Sequence, residues 1–148
     1  LKPFENSQRL EVPGLPAGVN VSKDLRPLKP GNDSYTIESD YQRGPVKLEV
    51  LLPKDYDAKK KYKVLYTLPV NVGVNGPWGC ALEELQRRDV HNKHQLICVA
   101  PAYDIDPWLG DMPARPANGK PWIRQQSYLR EVVIPFIEQR YSTPAAGS

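Results

Sequence analysis

Hydrophobic and polar residues change rhythm several times along the chain. Ser34-Tyr35-Thr36-Ile37-Glu38-Ser39 alternates, Arg43-Gly44-Pro45 turns, and Val46-Lys47-Leu48-Glu49-Val50 alternates again before Leu51-Leu52-Pro53. Alternation of this kind predicts antiparallel strands over 34–39 and 46–52, apolar on one face and polar on the other. The rhythm then gives way to nearly continuous apolar runs, Lys63-Val64-Leu65-Tyr66-Thr67-Leu68 and Leu96-Ile97-Cys98-Val99-Ala100. Such runs suit parallel strands covered on both faces. Between them Cys80-Ala81-Leu82-Glu83-Glu84-Leu85-Gln86-Arg87-Arg88 is rich in helix formers, so the unit reads as strand, helix, strand. Leu129, Val132, Val133, Phe136 and Ile137 then fall at i, i+3, i+4, i+7 and i+8, one face of a helix. Pro135 removes one helical hydrogen bond, but it shares the outer face with Glu131 and Glu138, where water reaches the freed carbonyl. The pattern predicts a kinked helix that continues through the proline.

Residues 1–33 show no sustained period and hold Pro3, Pro13, Pro16, Pro27 and Pro30 with Gly14, Gly18 and Gly31. They read as an extended Pro/Gly-rich arm in which a short strand such as Gly18-Val19-Asn20-Val21 can sit. Residues 34–148 read as the N-terminal portion of one domain. The fold class expected is α/β, with a mostly parallel sheet and antiparallel edge strands. Composition agrees with a packed domain: 148 residues and 40% hydrophobic content support a core. The 16 prolines, about twice the usual ~5% share, require much loop or extended chain.

Charge narrows the partners. The net charge is +3, and the only basic run, Lys59-Lys60-Lys61, reads as a solvated loop. No basic patch with interleaved aromatics suggests nucleic acid. No apolar run of ~18 residues suggests a membrane span. Cys80 and Cys98 fall in different elements, and Cys98 reads as an inert core thiol. The chain starts at Leu1 with no visible signal peptide, which leaves the compartment open, export with a removed signal included.

Two loops carry the candidate chemistry. After the third strand, Leu68-Pro69-Val70-Asn71-Val72-Gly73-Val74-Asn75-Gly76-Pro77-Trp78-Gly79 has backbone amides little hindered by side chains. Such amides can face the oxyanion formed when a nucleophile attacks an ester; a plain strand-to-helix connection is the simpler reading of the residues alone. The glycine spacing fits neither a dinucleotide fingerprint nor a P-loop. After the fourth strand, Tyr103-Asp104-Ile105-Asp106-Pro107-Trp108-Leu109-Gly110-Asp111 places carboxylates and aromatics where open α/β sheets bind ligands. Turn chemistry, with Asp104 or Asp111 capping or solvating the loop, is the competing account. His91 and His94 lack a third strong ligand nearby and read as surface or helix-end residues. Arg124-Gln125-Gln126-Ser127-Tyr128 either docks an anionic group or caps the helix.

Val46 to Pro53, Tyr62-Lys63-Val64-Leu65-Tyr66-Thr67-Leu68, Leu96 to Pro101 and Tyr128 to Glu138 with Arg140-Tyr141 together resemble the esterase-D-like and feruloyl-esterase-like branch of the α/β-hydrolases. The resemblance covers about residues 34–142. It departs at Pro69-Val70-Asn71, where the family has His-Gly. It implies a serine esterase acting on a small-molecule ester, with no metal or organic cofactor. Val70 and Asn71 become oxyanion candidates, and Trp78, Tyr103, Asp104, Asp106 and Trp108 substrate-cleft candidates. The nucleophile, acid and histidine are expected beyond Ser148, because the acid follows the serine in chain order. The chain is thus expected to be truncated before the nucleophile strand and inactive alone, with the missing C-terminal half or an oligomer partner covering an apolar sheet edge. The alternatives are a non-catalytic module binding carbohydrate or protein in the same cleft, or a small-ligand-binding α/β domain without hydrolase history.

Overall fold

The computed structural model describes residues 6–27, 29–69, 80–103, 110–111 and 124–144. Their strands are β1 (Ser7–Leu10), β2 (Asn20–Asp24), β3 (Asn32–Glu38), β4 (Val46–Leu51), β5 (Lys63–Tyr66) and β6 (Leu96–Pro101). Between β5 and β6 lie the helices α1 (Ala81–Arg87) and α2 (Val90–Lys93). A last helix is built from α3 (Gln125–Tyr128), a π-helical turn (Leu129–Val133) and α4 (Ile134–Arg140).

The strands form one sheet in the order β1-β2-β3-β4-β6-β5. The expected mostly parallel sheet needs correction: β1–β2, β2–β3, β3–β4 and β4–β6 are antiparallel, and β5–β6 alone is parallel among the described residues. The apolar runs pointed to the parallel pair. They carried no information about the hairpins built ahead of it, two strands of which come from the Pro/Gly-rich arm. Gly31, at φ 90°, turns the chain into β3 in a conformation that a side chain would strain.

Alternation in β3 and β4 separates the two faces. Tyr35 and Ile37 on β3 join Leu48 and Val50 on β4 and Ile97 and Val99 on β6 in one buried cluster. The last helix lies on that face and adds Tyr128, Val132, Val133, Phe136 and Ile137, with the Phe136 ring edge-on to Tyr35 at 4.9 Å. A smaller cluster on the opposite face joins Leu51, Cys98 and Ala100 to Cys80 and Leu82. Both cysteines are free and buried, and burial pushes the Cys98 thiol up to about 11.

The helix does continue through Pro135. The Ile134 amide donates to the Leu129 carbonyl, the wide bond of a π turn, and Pro135 stands in the first turn of α4, where its missing N–H costs least. Beyond the helix, the Tyr141 hydroxyl donates to Asp33 Oδ2 at 2.6 Å and lies 2.6 Å from the Tyr35 hydroxyl. Arg140 Nε donates to the same Tyr35 oxygen at 3.4 Å. These bonds tie the end of the helix to β3.

Like β1, β5 is one of the two edges of the sheet among the described residues. The continuous apolar run there is only half covered: Leu65 is 37% and Leu68 41% exposed. Lys59, Lys60 and Lys61 are exposed, as a solvated loop requires.

Candidate functional site

Parallel pairing decides where β5 and β6 deliver the chain. Leu65 pairs with Cys98 and Tyr66 with Val99, and the Thr67 amide donates to the Val99 carbonyl at 2.8 Å. Both strands therefore end side by side at one margin of the sheet. Leu68-Pro69 leaves from one and Ala102-Tyr103 from the other. β6 can run through the middle because Ile97 to Pro101 are buried on both faces, one under the last helix and the other under α1.

Of the oxyanion and substrate-cleft candidates, Tyr103 alone falls among the described residues. Val70, Asn71, Trp78, Asp104, Asp106 and Trp108 lie outside them. Tyr103 is buried, and its ring meets Tyr128 edge-on at 5.8 Å. The hydroxyls of both tyrosines are buried and without hydrogen-bond partners among the described residues. Burial pushes the Tyr103 phenol up to about 12, and burial with the neighbouring Tyr103 raises Tyr128 further. Both phenols are therefore neutral near pH 7 and available as hydrogen-bond donors. The sequence reading took Tyr128 only as part of the segment Arg124-Gln125-Gln126-Ser127-Tyr128, not as a partner of Tyr103. The available signal was its spacing: Tyr128, Val132 and Phe136 repeat every four residues on the buried face.

Asp111 takes the capping role. Its Oδ1 accepts the Ser127 amide at 3.0 Å and its Oδ2 accepts the Ser127 hydroxyl, at the opening of α3. Burial pushes the carboxyl up, but the bonds from Ser127 outweigh it and hold Asp111 below its usual range. Arg124, weighed as an anion dock, stacks on the Tyr41 ring 4.4 Å from its centroid. The Tyr41 hydroxyl in turn donates to Glu131.

The histidines divide. His94 is exposed at the end of α2, while His91 is buried, correcting its reading as a surface residue. Asp89, at φ 59°, breaks the chain between α1 and α2, and the short α2 then turns His91 inward. Among the described residues no group of three His, Cys, Asp or Glu side chains is placed to hold a metal ion. None of the described helices is long and apolar enough to cross a membrane.

No family model matches the chain, and no curated protein does. Solved structures do. An S-formylglutathione hydrolase from Agrobacterium tumefaciens matches with a TM-score of 0.56 at 12% identity, over 94% of this chain and 49% of its own. A ferulic acid esterase from Anaeromyces mucronatus matches with a TM-score of 0.49 at 24% identity, over 80% and 48%. The BES protein from Bacillus cereus gives 0.48 at 17%, over 80% and 52%. The chain thus spans about half the length of the solved structures it matches. At such identities the likeness is one of fold alone: over 94% of its length the chain shares the fold of about half of the S-formylglutathione hydrolase.

Proposed function

We propose that this chain is part of a carboxylic-ester hydrolase of the serine-esterase type, supplying an oxyanion loop and part of the substrate cleft. The supporting observation is the in-register parallel pair β5–β6, which starts the segments after Leu68 and after Ala102 at the same margin of the sheet. In α/β sheets that margin is where ligands bind. Serine attack on the ester carbonyl forms an acyl-enzyme, and water then releases the acid. In this reading a backbone N–H at Val70 or Asn71 faces the oxyanion, and Trp78, Tyr103, Asp104, Asp106 and Trp108 line the cleft. The nucleophile and its histidine and acid partners come from sequence outside these residues. The strand that covers the exposed flank of β5 comes from the remainder of the protein or from a second chain. The half-covered Leu65 and Leu68 support that arrangement.

The test is hydrolysis of p-nitrophenyl acetate by a polypeptide that continues past Ser148 into a Gly-x-Ser-x-Gly segment. Asn71→Ala keeps the backbone donor and leaves turnover close to wild type. Asn71→Pro removes it and slows turnover ~10²-fold or more. Equal, near-native rates for both variants in a folded protein exclude Asn71 as the donor. Absence of hydrolysis by the extended polypeptide refutes the esterase reading.

A further inference from the structure

The sheet face opposite the main core changes character toward β1. Over β4 and β6 it is covered by α1 and the Leu51–Cys98–Ala100 cluster. Over β1, β2 and β3 it carries polar side chains. Register places Ser7 opposite Asp24, Arg9 opposite Ser22, Ser22 opposite Thr36 and Asn20 opposite Glu38, all on this face. Ser7, Arg9, Asn20, Ser22, Thr36 and Glu38, with Pro45 at one end, line a hollow of ≈ 330 Å³. That volume is at the lower end of the range in which proteins hold small ligands, roughly 300–1,000 Å³.

We infer that this hollow binds a neutral, polyhydroxylated ligand: a sugar unit of an oligosaccharide laid across β1, β2 and β3. Its lining sets the chemistry. One guanidinium and one carboxylate balance each other, so neither an anion nor a cation is favoured. The remaining groups are hydroxyls and an amide, which both donate and accept, as the hydroxyls of a sugar do. Among the described residues of the lining Pro45 alone is apolar, and an apolar ligand would bury these polar groups without partners. Part of the lining is fixed in advance. Arg9 Nη2 donates to Asn20 Oδ1 at 3.0 Å. Thr36 Oγ1 donates to Asp24 Oδ1 at 2.9 Å and accepts from Lys47 Nζ at 2.7 Å. Asp24 is itself held by Ser34 at 2.6 Å and Lys47 at 2.8 Å. Groups already ordered lose little freedom when a ligand arrives. Ser22 and Glu38 have no side-chain hydrogen bond to a described residue and remain available to one. The hollow opens on the face of the sheet, away from the strand ends where ester chemistry is proposed, so it does not rest on that reading.

The experiment is an NMR titration of the protein with cellohexaose, xylohexaose and maltohexaose, with an oligogalacturonate as the acidic comparison. At least one neutral hexamer is expected to shift the amides of Arg9, Ser22 and Thr36 saturably at millimolar concentration. Loss of one charge-assisted bond weakens affinity about tenfold, so Arg9→Ala and Glu38→Gln should each do so. Both side chains are exposed, and the spectra report directly whether each variant stays folded. Lys59→Ala, in the distant solvated loop, should bind as wild type does. Raised salt should leave the affinity of the neutral ligand unchanged. No saturable shift with any neutral hexamer, shifts confined to other strands, unaltered affinity in both variants, or preferential binding of the acidic oligomer would each overturn the inference. Ester hydrolysis is not read at any step, so its absence leaves this result standing.

Discussion

Changing Tyr141 to phenylalanine removes one oxygen atom and little else. The ring stays among Tyr35, Tyr56 and the main core, so no cavity opens. What is lost is the 2.6 Å bond to Asp33 Oδ2 and the 2.6 Å contact with the Tyr35 hydroxyl. A hydrogen bond to a charged group contributes about 1.5–3 kcal/mol. The lower part of that range applies, for two reasons. The Asp33 side chain keeps 30% of its surface exposed and retains Lys23 at 3.6 Å, so water and a cation can replace the phenol. The Tyr35 hydroxyl retains Arg140. A loss of about 1.5–2 kcal/mol is expected, which at ~2–4 °C per kcal/mol for a chain of this size lowers Tm by about 3–8 °C. Urea unfolding monitored by tryptophan fluorescence and circular dichroism should show a lower midpoint with an unchanged slope. Asp33→Asn, combined with Tyr141→Phe, should return a coupling of roughly 1 kcal/mol. A loss below about 0.5 kcal/mol at unchanged slope, with no coupling, would mean that packing alone holds the helix end on β3.

Two further outcomes follow from the buried and exposed extremes of the sheet. Burial raises the Glu49 carboxyl, with Lys29 and Lys47 opposing the rise. Its folded state therefore holds a proton that the unfolded state has released, and stability falls as pH climbs from the unfolded value of about 4.3 through the folded one. Glu49→Gln should unfold at higher urea than wild type at pH 7 and converge with it near pH 4, and a less stable variant at pH 7 would contradict this. Leu65→Lys with Leu68→Lys should reduce hydrophobic-dye binding and self-association in residues 1–148 while changing stability by no more than about 0.5 kcal/mol. A wild-type chain that is monomeric, cooperative in unfolding and dye-silent would defeat that expectation.

The sequence was most legible where a repeating apolar pattern marks an inward face. Alternation from Val46 to Val50 and the spacing of Leu129, Val132 and Phe136 both gave the right element and its apolar face, although Glu49, on the other face of β4, is buried too where the alternation implied exposure. β1 and most of β2 were harder to see, because short paired strands among prolines and glycines owe their existence to neighbours distant in sequence. The π turn was invisible for a similar reason: Pro135 announces a missing donor, but where the ladder widens depends on packing beneath it. An apolar run says that a strand is covered, not which way its neighbours run, and so the sheet is more antiparallel than the pattern implied. Asp111 shows the corresponding ambiguity at a site. A carboxylate in a loop serves equally as ligand or cap, and only the position of Ser127 resolves which.

The ties between β3 and the end of the last helix bear on how the chain reaches its fold. Tyr35 and Tyr141 are 106 residues apart, and Gln139 Nε2 donates to the Pro13 carbonyl across 126. Contacts of such separation belong to slow, high-contact-order folding, in which loop closure must precede any reward. On a ribosome adding about 5–20 residues per second, the inner face of β3 waits roughly 5–20 s for the helix that covers it. During that interval Ile37, Leu48 and Val50 lack the helix that buries them, so the nascent chain presents more apolar surface than the finished protein.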